Sequence, residues 1–394
     1  MKKLLSKMNL SLLGLTILYS ILGCIMIYSA SSVLTVLKQG VASNYYFLRQ
    51  VAILIISIFV TIIITRFPLG SYKYFSYPLV IGIGASLVGL LLAGKITNGT
   101  KGWYDLGFFN LQPAEFAKSI IIIYLATSYE KLVKKKESRT IIYFLPLCVA
   151  MIIALLVLKQ PDLGSAIIIG ALSLMIFLSV PMPRKNHHQA CLGLLIIGIV
   201  GISLCMAFKD KIFTEYQLSR FSFLAPCSSE KRNERLGYQV CNGYIAIKNG
   251  GLFGLGFGNS TQKYLYLPEA HTDFIFPIIV EELGLVTGIL IILGYIIILR
   301  EILKIAKNAL TVSNSLIAYG TACYLGLHIL VNLLGVLGLM PLTGVPLPFF
   351  SYGGSFAINA IMMIGITEKI AIETKNSKFR AKIINLWKKF VIYF

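Results

Sequence analysis

Charged side chains are scarce in this sequence of 394 residues, and acidic ones are the scarcest. Asp, Glu, Lys and Arg together make up 13% of the chain, whereas hydrophobic residues make up 57%. This balance excludes an ordinary soluble domain and places the chain among polytopic membrane proteins. The sequence also lacks a CxxC pair and any group of residues with metal-ligand spacing, so no metal-binding motif is predicted.

Long apolar runs, by contrast, fill most of the chain. Ten of them come near the roughly 20 residues that a spanning helix needs. The first run is too long for the apolar core of a signal peptide and is expected to stay as a helix. We therefore predict an all-α polytopic membrane protein with about ten transmembrane helices, at residues 9–29, 48–66, 74–94, 112–129, 140–158, 163–180, 190–208, 274–299, 313–339 and 354–372.

The net charge of +20 is concentrated in particular connections between these runs. Basic clusters precede the first run, follow the fourth, sixth and eighth, and fill the tail. With ten spans, all these segments lie on one side, which the positive-inside rule assigns to the cytoplasm. The charge therefore reflects topology in the cytoplasmic membrane rather than binding to nucleic acid, and both termini are predicted to be cytoplasmic.

This topology divides the chain into a ten-helix membrane domain over 1–373 and a basic cytoplasmic tail over 374–394. Aromatic and apolar residues alternate with the charges of the tail, which predicts an amphipathic interfacial helix attracted to anionic lipid. The predicted outer connections lie at 30–47, 94–111, 209–272 and 340–353, and the large one joins helices 7 and 8.

The connection of 209–272 is the only one long enough to hold a site by itself. It contains Cys227 and Cys241, and a disulfide between them is chemically allowed outside the cell, although their spacing does not decide it. Its stretch NGGLFGLGFGNS offers glycine-rich backbone that can approach a phosphate closely. No βαβ unit surrounds GLGFG, so this is not a dinucleotide-binding fingerprint.

Asp273 lies where this loop meets the eighth apolar run. A carboxylate at such a boundary is expensive to desolvate, so it is a functional candidate by default. The alternative is an N-terminal helix residue favoured by the helix dipole, and position alone does not separate the two. The loop of about 209–273 is the candidate catalytic loop, with His271 and Glu281 as candidate substrate-binding residues.

Glu115 and Lys118 form a second candidate site, just inside the fourth apolar run. They are three residues apart and therefore share a helix face. The simplest interpretation is mutual pairing, because an unpaired charge there is costly; the alternative is that Lys118 also faces an anionic ligand. Lys248, Lys263 and Arg220 of the long outer connection are further candidate phosphate-binding cations, and each is equally explained as a solvated loop charge.

The outer segment from Met340 to Gly354 carries no charge, three prolines and three glycines. Irregular apolar backbone at membrane depth is tolerated only where protein buries it or where it lines a cavity. This composition predicts either a re-entrant loop that walls a lipid-accessible groove or a rigid connector between two helices.

Four blocks occur in order over nearly the whole chain: NGTKGWYDLGFFNLQPAEFAKS, QPDLGSA, GGLFGLGFGNSTQKYLYLPEAHTDFIF with the following EELG, and PLTGVPLPFFSYGGS. Together they closely resemble the SEDS family of bacterial membrane proteins (shape, elongation, division and sporulation), which includes FtsW, RodA and SpoVE. Within the family, YLPEAHTDFIF looks more like FtsW than RodA. PLTGVPLPFFSYGGS looks like FtsW or SpoVE of Gram-positive type.

This resemblance implies a peptidoglycan glycosyltransferase that polymerises lipid II at the outer face of the cytoplasmic membrane, for septal wall synthesis in an FtsW-like member. The family's essential aspartate falls on Asp273, which would act as the general base of an inverting transfer. Its charged pair falls on Glu115 and Lys118, and its loop arginine falls on Arg220.

One departure from the family pattern concerns the position before Trp103, which is usually arginine and here is Gly102. Lys101 beside it is the candidate substitute in substrate binding, although it lacks the bidentate geometry of a guanidinium. The resemblance also implies partners, namely a class B penicillin-binding protein transpeptidase and other membrane proteins of the divisome. No cofactor is identified by the sequence, and Lys118, Arg220 or a divalent cation (Mg²⁺ or Mn²⁺) is expected to stabilise the charge that develops on the leaving pyrophosphate.

Two other classes of function stay open. A lipid II flippase or other transporter would show ionisable residues near the midplane and an internal repeat, whereas the charged candidates cluster near the outer boundary. His328 and Asn332 are the best midplane candidates, and interhelical hydrogen bonding explains them. The other class is a scaffold that recruits the transpeptidase, a role that is compatible with catalysis.

Overall fold

The computed structural model of the chain describes residues 7–93, 102–105, 107, 110–207, 226–228 and 235–391. Within these residues a two-stranded antiparallel ribbon, β1 (Tyr104–Asp105) with β2 (Asn110–Leu111), precedes the fourth helix. A single 3₁₀ turn (Leu69–Ser71) precedes the third helix. The described residues form eleven α-helices: α1 (Leu10–Gln39), α2 (Tyr45–Arg66), α3 (Tyr72–Ala93), α4 (Pro113–Lys134), α5 (Thr140–Leu158), α6 (Leu163–Leu178), α7 (Arg184–Ala207), α8 (Arg235–Gly250), α9 (Ile275–Asn308), α10 (Val312–Val336) and α11 (Gly354–Val391).

Each of the ten predicted spans corresponds to one of these helices, and α8 is the additional one. By length and composition, seven of the described helices are long and apolar enough to cross a membrane, namely α1, α2, α3, α5, α9, α10 and α11. The other three predicted spans are the charge-bearing α4, the 16-residue α6 and α7. The chain therefore folds as an all-α polytopic membrane protein, as predicted.

The helices differ in how much of their surface the protein covers. Most residues of α4 and α10 are buried, so these two helices lie at the centre of the bundle. In α2, by contrast, only Gln50, Ile53 and Ser57 are buried, and many of its apolar side chains, such as Ile55 and Phe59, are exposed. A helix that is apolar on its exposed surface suits contact with lipid. α11 continues without a break from the predicted span into the predicted tail.

The segment between α10 and α11 has no regular secondary structure, yet protein covers most of it. Leu347 and Phe350 are enclosed. The rings of Tyr19 and Phe350 pack edge to face with their centroids 5.1 Å apart, and the Tyr295 hydroxyl donates to the carbonyl of Pro348. Burial in protein is the condition under which irregular backbone is tolerated inside a membrane bundle. The segment is therefore a buried loop that folds back between α1, α9 and α10.

α9 is interrupted at Gly284, whose φ of 86° and ψ of 164° are not helical. The stretch that follows α8, residues 251–258, fills the interruption, and we call it the glycine loop. Four main-chain hydrogen bonds join the two segments: Leu255 N–H to Glu281 O (2.9 Å), Gly256 N–H to Glu282 O (2.9 Å), Leu285 N–H to Gly251 O (2.9 Å) and Val286 N–H to Leu252 O (3.2 Å).

These hydrogen bonds change the interpretation of the glycine-rich stretch. The N–H groups of Leu255 and Gly256 are used within the chain, so the expectation that the backbone cradles a phosphate is wrong for these two residues. A Cβ on Gly254 would lie 2.3 Å from the carbonyl oxygen of Glu282. The glycines therefore permit a close crossing of two backbones.

We expect Gly284→Ala to lower the free energy of unfolding by about 2–5 kcal/mol, because the new Cβ adds overpacking to left-handed strain. That Cβ would lie 2.3 Å from the carbonyl oxygen of Leu252. The matched control is Gly258→Ala, at a φ of +81° with nothing within 4 Å, where strain alone costs about 1–2 kcal/mol. SDS titration of the purified variants measures both losses, and equal losses would contradict a tight crossing at Gly284.

The structure also forms the disulfide that the sequence left open. Cys227 and Cys241 are bonded, with their Cα atoms 5.1 Å apart. The bond attaches the short described segment 226–228 to the middle of α8. The long outer connection is thus partly folded onto the bundle through α8.

Candidate active site

Asp273 occupies a turn that immediately precedes α9. The N–H groups of Thr272 and Phe274 on either side of it each donate to the carbonyl oxygen of Glu269 at 3.1 Å. Phe274 is the N-cap residue of α9, so Asp273 lies outside the helix. Its side chain is half-buried. This position differs from that of a first-turn residue placed only to complement the helix dipole.

The backbone around Asp273 is held by α10 and by the buried loop after it. The side-chain amide of Asn332 donates to the carbonyl oxygens of Asp273 and Val345, both at 2.8 Å. The Ser351 hydroxyl donates to the Thr272 carbonyl at 2.6 Å. A Cβ on Gly344 would lie 3.4 Å from Oδ2 of Asp273, so the carboxylate rests against this glycine. The turn is thus fixed by groups more than 50 residues away in sequence.

His271 is buried beside this turn in a cluster of three rings with Tyr46 and Tyr352, whose own ring centroids are 4.8 Å apart. Its ring centroid lies 4.5 Å from that of Tyr46 and 5.8 Å from that of Tyr352, and its Nδ1 has no hydrogen-bond partner. Burial lowers the pKa of His271 to about 4, and the charge of Glu269 acts in the opposite direction. The imidazole is therefore neutral at pH 7 and supplies no positive charge to a phosphate. A substrate-binding role for His271 stays a prediction.

Glu115 and Lys118 pair directly, as their spacing predicts. Nζ of Lys118 donates to Oε1 of Glu115 at 2.7 Å, and both side chains are buried. Nε2 of His328 lies 3.1 Å from the same Nζ, which makes a three-membered cluster between α4 and α10. Because Lys118 is fully enclosed, its ammonium contacts protein groups here, and contact with an anionic ligand stays a prediction.

The cluster and the Asp273 turn are linked through one face of α10. His328 and Asn332 are one turn apart, so they project from the same side of this helix. Nδ1 of His328 lies 3.4 Å from the carbonyl oxygen of Pro346, next to the Val345 carbonyl that accepts from Asn332. The interhelical contact predicted for these residues is present at His328, which lies against Lys118 of α4, whereas Asn332 bonds to the Asp273 turn and to the buried loop. Together they hold the buried loop against α10.

Glu281 and Lys263 lie in a separate buried network at the interruption of α9. Glu281 accepts hydrogen bonds from Ser260 and from Thr261 at 2.8 Å. Nζ of Lys263 donates to Glu282 at 2.9 Å and to the carbonyl of Gly258 at 2.6 Å. These bonds anchor the glycine loop to α9. The structure therefore gives both residues a structural role, and their predicted contact with substrate is untested.

Two further candidates, Lys101 and Arg220, lie outside the described residues. Among the residues that are described, no group of three His, Cys, Asp or Glu side chains is arranged to hold a metal ion. The described site therefore consists of Asp273 with its backbone supports, the neutral His271, and the buried Glu115–Lys118–His328 cluster.

Sequence patterns alone did not reveal several of these supports. Asn332, Ser351 and Gly344 contact the Asp273 turn, yet none of them is ionisable and each is far from it in sequence. For Ser351 and Gly344 the signal was the dense PLTGVPLPFFSYGGS block, whose glycines and prolines indicated a special backbone without indicating what it contacts; Asn332 lies outside this block, in α10.

The family described as cell cycle protein, which groups FtsW, RodA and SpoVE, matches residues 9–376 of the chain. The chain belongs to this family. This membership confirms the SEDS resemblance. A relative from Bacillus subtilis (strain 168), described as "Probable peptidoglycan glycosyltransferase FtsW", is 35% identical over 387 residues, covering 97% of this chain and 95% of the relative. The stage V sporulation protein E of the same organism is 33% identical over 366 residues, covering 91% of this chain and 95% of the relative.

Solved structures agree with this family assignment at the level of the fold. A chain from a peptidoglycan synthase complex that coordinates polymerization and crosslinking matches with a TM-score of 0.72 at 24% identity, covering 93% of this chain and 98% of that one. The rod shape determining protein RodA of Thermus thermophilus matches with a TM-score of 0.65 at 24% identity, covering 92% of this chain and 96% of that one. The SEDS fold predicted from the sequence is confirmed.

Proposed function

We propose that this SEDS-family protein is a peptidoglycan glycosyltransferase that polymerises lipid II, with Asp273 as its general base. The position of Asp273 supports this function most directly. Its half-buried carboxylate lies outside the helix and rests against Gly344, and its backbone is fixed by Asn332. A positioned carboxylate of this kind suits proton abstraction. FtsW relatives that share the family are described by the same activity.

The proposed reaction needs one base and no carboxylic acid. A hydroxyl of the acceptor sugar attacks the anomeric carbon of the donor and forms the new glycosidic bond while its proton passes to Asp273. The bond from that carbon to the lipid pyrophosphate breaks, and the pyrophosphate leaves with the electron pair. Direct displacement of this kind inverts the anomeric centre, in contrast to retaining glycosidases with two carboxylates close together.

The depth of Asp273 suits a substrate with a membrane-embedded lipid and a polar head. At 1.5 Å per residue, the distance from Asp273 to Arg300 along α9 is about 40 Å, and the hydrocarbon core is about 30 Å thick. With Arg300 at the cytoplasmic boundary and α9 at the average tilt of about 20°, Asp273 lies about 8 Å beyond the other boundary, at the outer edge of the headgroup region. The pyrophosphate of a lipid-linked sugar occupies the same level.

Positive charge on the leaving pyrophosphate is the second requirement of this chemistry. Lys118 is engaged with Glu115 and His328 inside the bundle. We therefore assign direct contact with the pyrophosphate to Arg220, assisted by Lys101. Lys118 is assigned a packing role, in which it holds α4 against α10. A divalent cation is a further candidate for the same task, and the described residues offer it no three-ligand cluster.

A class B penicillin-binding protein is the proposed partner, with other divisome membrane proteins around it and the division septum as the site of action. The structural relative from a synthase complex supports this proposal, because polymerization and crosslinking are coordinated in that complex. The positive-inside rule supports a cytoplasmic location for both termini and an outer location for Asp273.

The function is tested by supplying lipid II to the purified protein together with its cognate penicillin-binding protein, whose transpeptidase is blocked by a β-lactam. We expect glycan chains to form only when this protein is present. These chains stay uncrosslinked, because the transpeptidase of the partner is blocked. Sealed vesicles with labelled lipid II provide the contrasting readout. Movement of lipid II across the vesicle membrane without polymer would identify a flippase instead. The absence of both activities, with the partner still bound, would leave a scaffold.

A further inference from the structure

The glycine loop exposes its apolar side chains at its tip. Phe253 is 84% exposed and Leu252 is 60% exposed, and Leu255 and Phe257 are exposed as well. No charged residue occurs from Gly251 to Gly258. In an aqueous loop, such a contiguous apolar surface is unfavourable and normally marks contact with protein, ligand or lipid.

The depth of this loop relative to the bundle is fixed. Its four main-chain hydrogen bonds attach it to the interruption of α9 at Gly284, and the backbones cross too closely to slide. α8 runs beside the first half of α9 in the same direction, with Gly243 against Phe274 and Gly250 against Val280. The chain therefore descends along α8, turns at the glycine loop, and returns to the level of Asp273.

The level of Gly284 lies inside the hydrocarbon core. Only 16 residue steps separate Gly284 from Arg300, which corresponds to about 24 Å of helix. The hydrocarbon core is about 30 Å thick, and any tilt of α9 shortens the distance that these residues cover across it. With Arg300 at the opposite boundary, the loop lies about 6 Å below the surface of the core on the Asp273 side.

The surface next to the loop is already a lipid-facing one. Leu285, Val286, Ile289 and Leu290 of α9 follow directly after the crossing and are exposed and apolar. The tip of the glycine loop extends this surface without a polar break.

Four N–H groups and five carbonyl groups of the loop are hydrogen-bonded within the chain, which lowers the cost of placing them in contact with lipid. In addition to the bonds with α9, the side-chain amide of Asn259 donates to the carbonyl of Leu255 at 3.0 Å. The buried Lys263 ammonium donates to the carbonyl of Gly258 at 2.6 Å. Carbonyl oxygens of Gly251, Leu252, Leu255, Gly256 and Gly258 all accept hydrogen bonds from the chain.

We propose that α8 and the glycine loop form a re-entrant hairpin whose tip, Leu252 and Phe253, inserts among the acyl chains of the leaflet on the Asp273 side. The occupant of the apolar tip is the bilayer itself. Residues 235–258, which the sequence assigns to an aqueous outer loop, thereby become partly membrane-embedded. This inference is independent of the reaction proposed for Asp273.

Contact with lipid is tested by placing a tryptophan at the tip of the full-length protein in vesicles. Phe253→Trp and Leu252→Trp are reconstituted in phosphatidylcholine with and without brominated acyl chains, which quench tryptophan only on contact. The native Trp103 and Trp387 give a constant background that is subtracted using the unsubstituted protein. Ile81→Trp, at a position of α3 that is 73% exposed, is the control for lipid contact. Ser138→Trp, in the exposed loop between α4 and α5, is the control for water.

We expect brominated lipid to reduce the emission of both tip variants by the same fraction as that of Ile81→Trp, and to leave Ser138→Trp unchanged. Quenching of the tip by aqueous iodide but not by brominated lipid would overturn the proposal in favour of an aqueous loop. Protection from both quenchers would overturn it in favour of a tip covered by a second copy of the chain. The vesicles contain neither lipid II nor a partner protein, so quenching of the tip by brominated lipid reports contact with the bilayer itself.

Discussion

Asp273→Asn is expected to lower the rate of lipid II polymerisation by about 10²–10⁴-fold, because a positioned general base contributes about that factor. The amide has nearly the shape of the carboxylate but does not accept a proton from the acceptor hydroxyl at neutral pH. Asn332 bonds to the main-chain carbonyl of residue 273 rather than to its side chain, so the turn keeps its support in the variant. The measurement is the initial rate of glycan-chain formation with the β-lactam-blocked partner.

The matched control is the same substitution at an exposed aspartate, Asp105→Asn in β1, which is expected to leave the rate unchanged. Both variants are first compared with the wild type for partner binding and thermal unfolding. A folded, partner-bound Asp273→Asn protein that polymerises at the wild-type rate would exclude Asp273 as the base, while the assignment of the protein as a polymerase would stand.

Lys118→Met is expected to lower the free energy of unfolding by about 3–5 kcal/mol, the usual effect of removing one partner of a buried ion pair. Methionine fills a similar volume, so lost packing contributes little. The variant leaves Glu115 enclosed without its cation, and Oε2 of this carboxylate already lacks a hydrogen-bond partner. The nitrogen of His328 also loses its neighbour. SDS titration of the protein in mixed micelles gives the free energy.

Two variants make this prediction specific to burial. Lys134→Met removes an ion pair with Glu130 on the same helix, in which Lys134 is 68% exposed, and exposed pairs contribute only about 0–1 kcal/mol. The double variant Glu115→Gln with Lys118→Met removes both charges and is expected to recover much of the loss. Equal losses for Lys118→Met and Lys134→Met, or a double variant no more stable than the single one, would contradict a buried pair.

The helices and the charged candidates were predictable because their signals are local. Ten apolar runs of spanning length predicted ten helices, and the i, i+3 spacing of Glu115 and Lys118 predicted their pairing. Asp273 stood out because a carboxylate at the start of an apolar run is costly to desolvate and is therefore a functional candidate. Each of these inferences needs only a few neighbouring residues.

The features that the sequence did not predict depend on contacts between distant segments. The glycine loop bonds to α9 through main-chain groups, which every residue possesses, so its glycines indicated close approach without naming the partner. The interruption at Gly284 falls inside an otherwise continuous apolar run. The support of the Asp273 turn by Asn332 joins two segments 59 residues apart through a carbonyl oxygen. α8 was hidden because it contains three glycines and polar residues, which resemble a loop.

The crossing at Gly284 has a consequence for how the protein enters the membrane during synthesis. Residues 251–258 leave the ribosome before Glu281–Val286, which supply their hydrogen-bond partners. An unpaired peptide group in hydrocarbon costs several kcal/mol, so the hairpin tip is not stable there until the first half of α9 arrives. α8, the glycine loop and α9 therefore insert as one cooperative unit. The turn that carries Asp273 is completed in the same event, so an incompletely inserted chain has no assembled catalytic site.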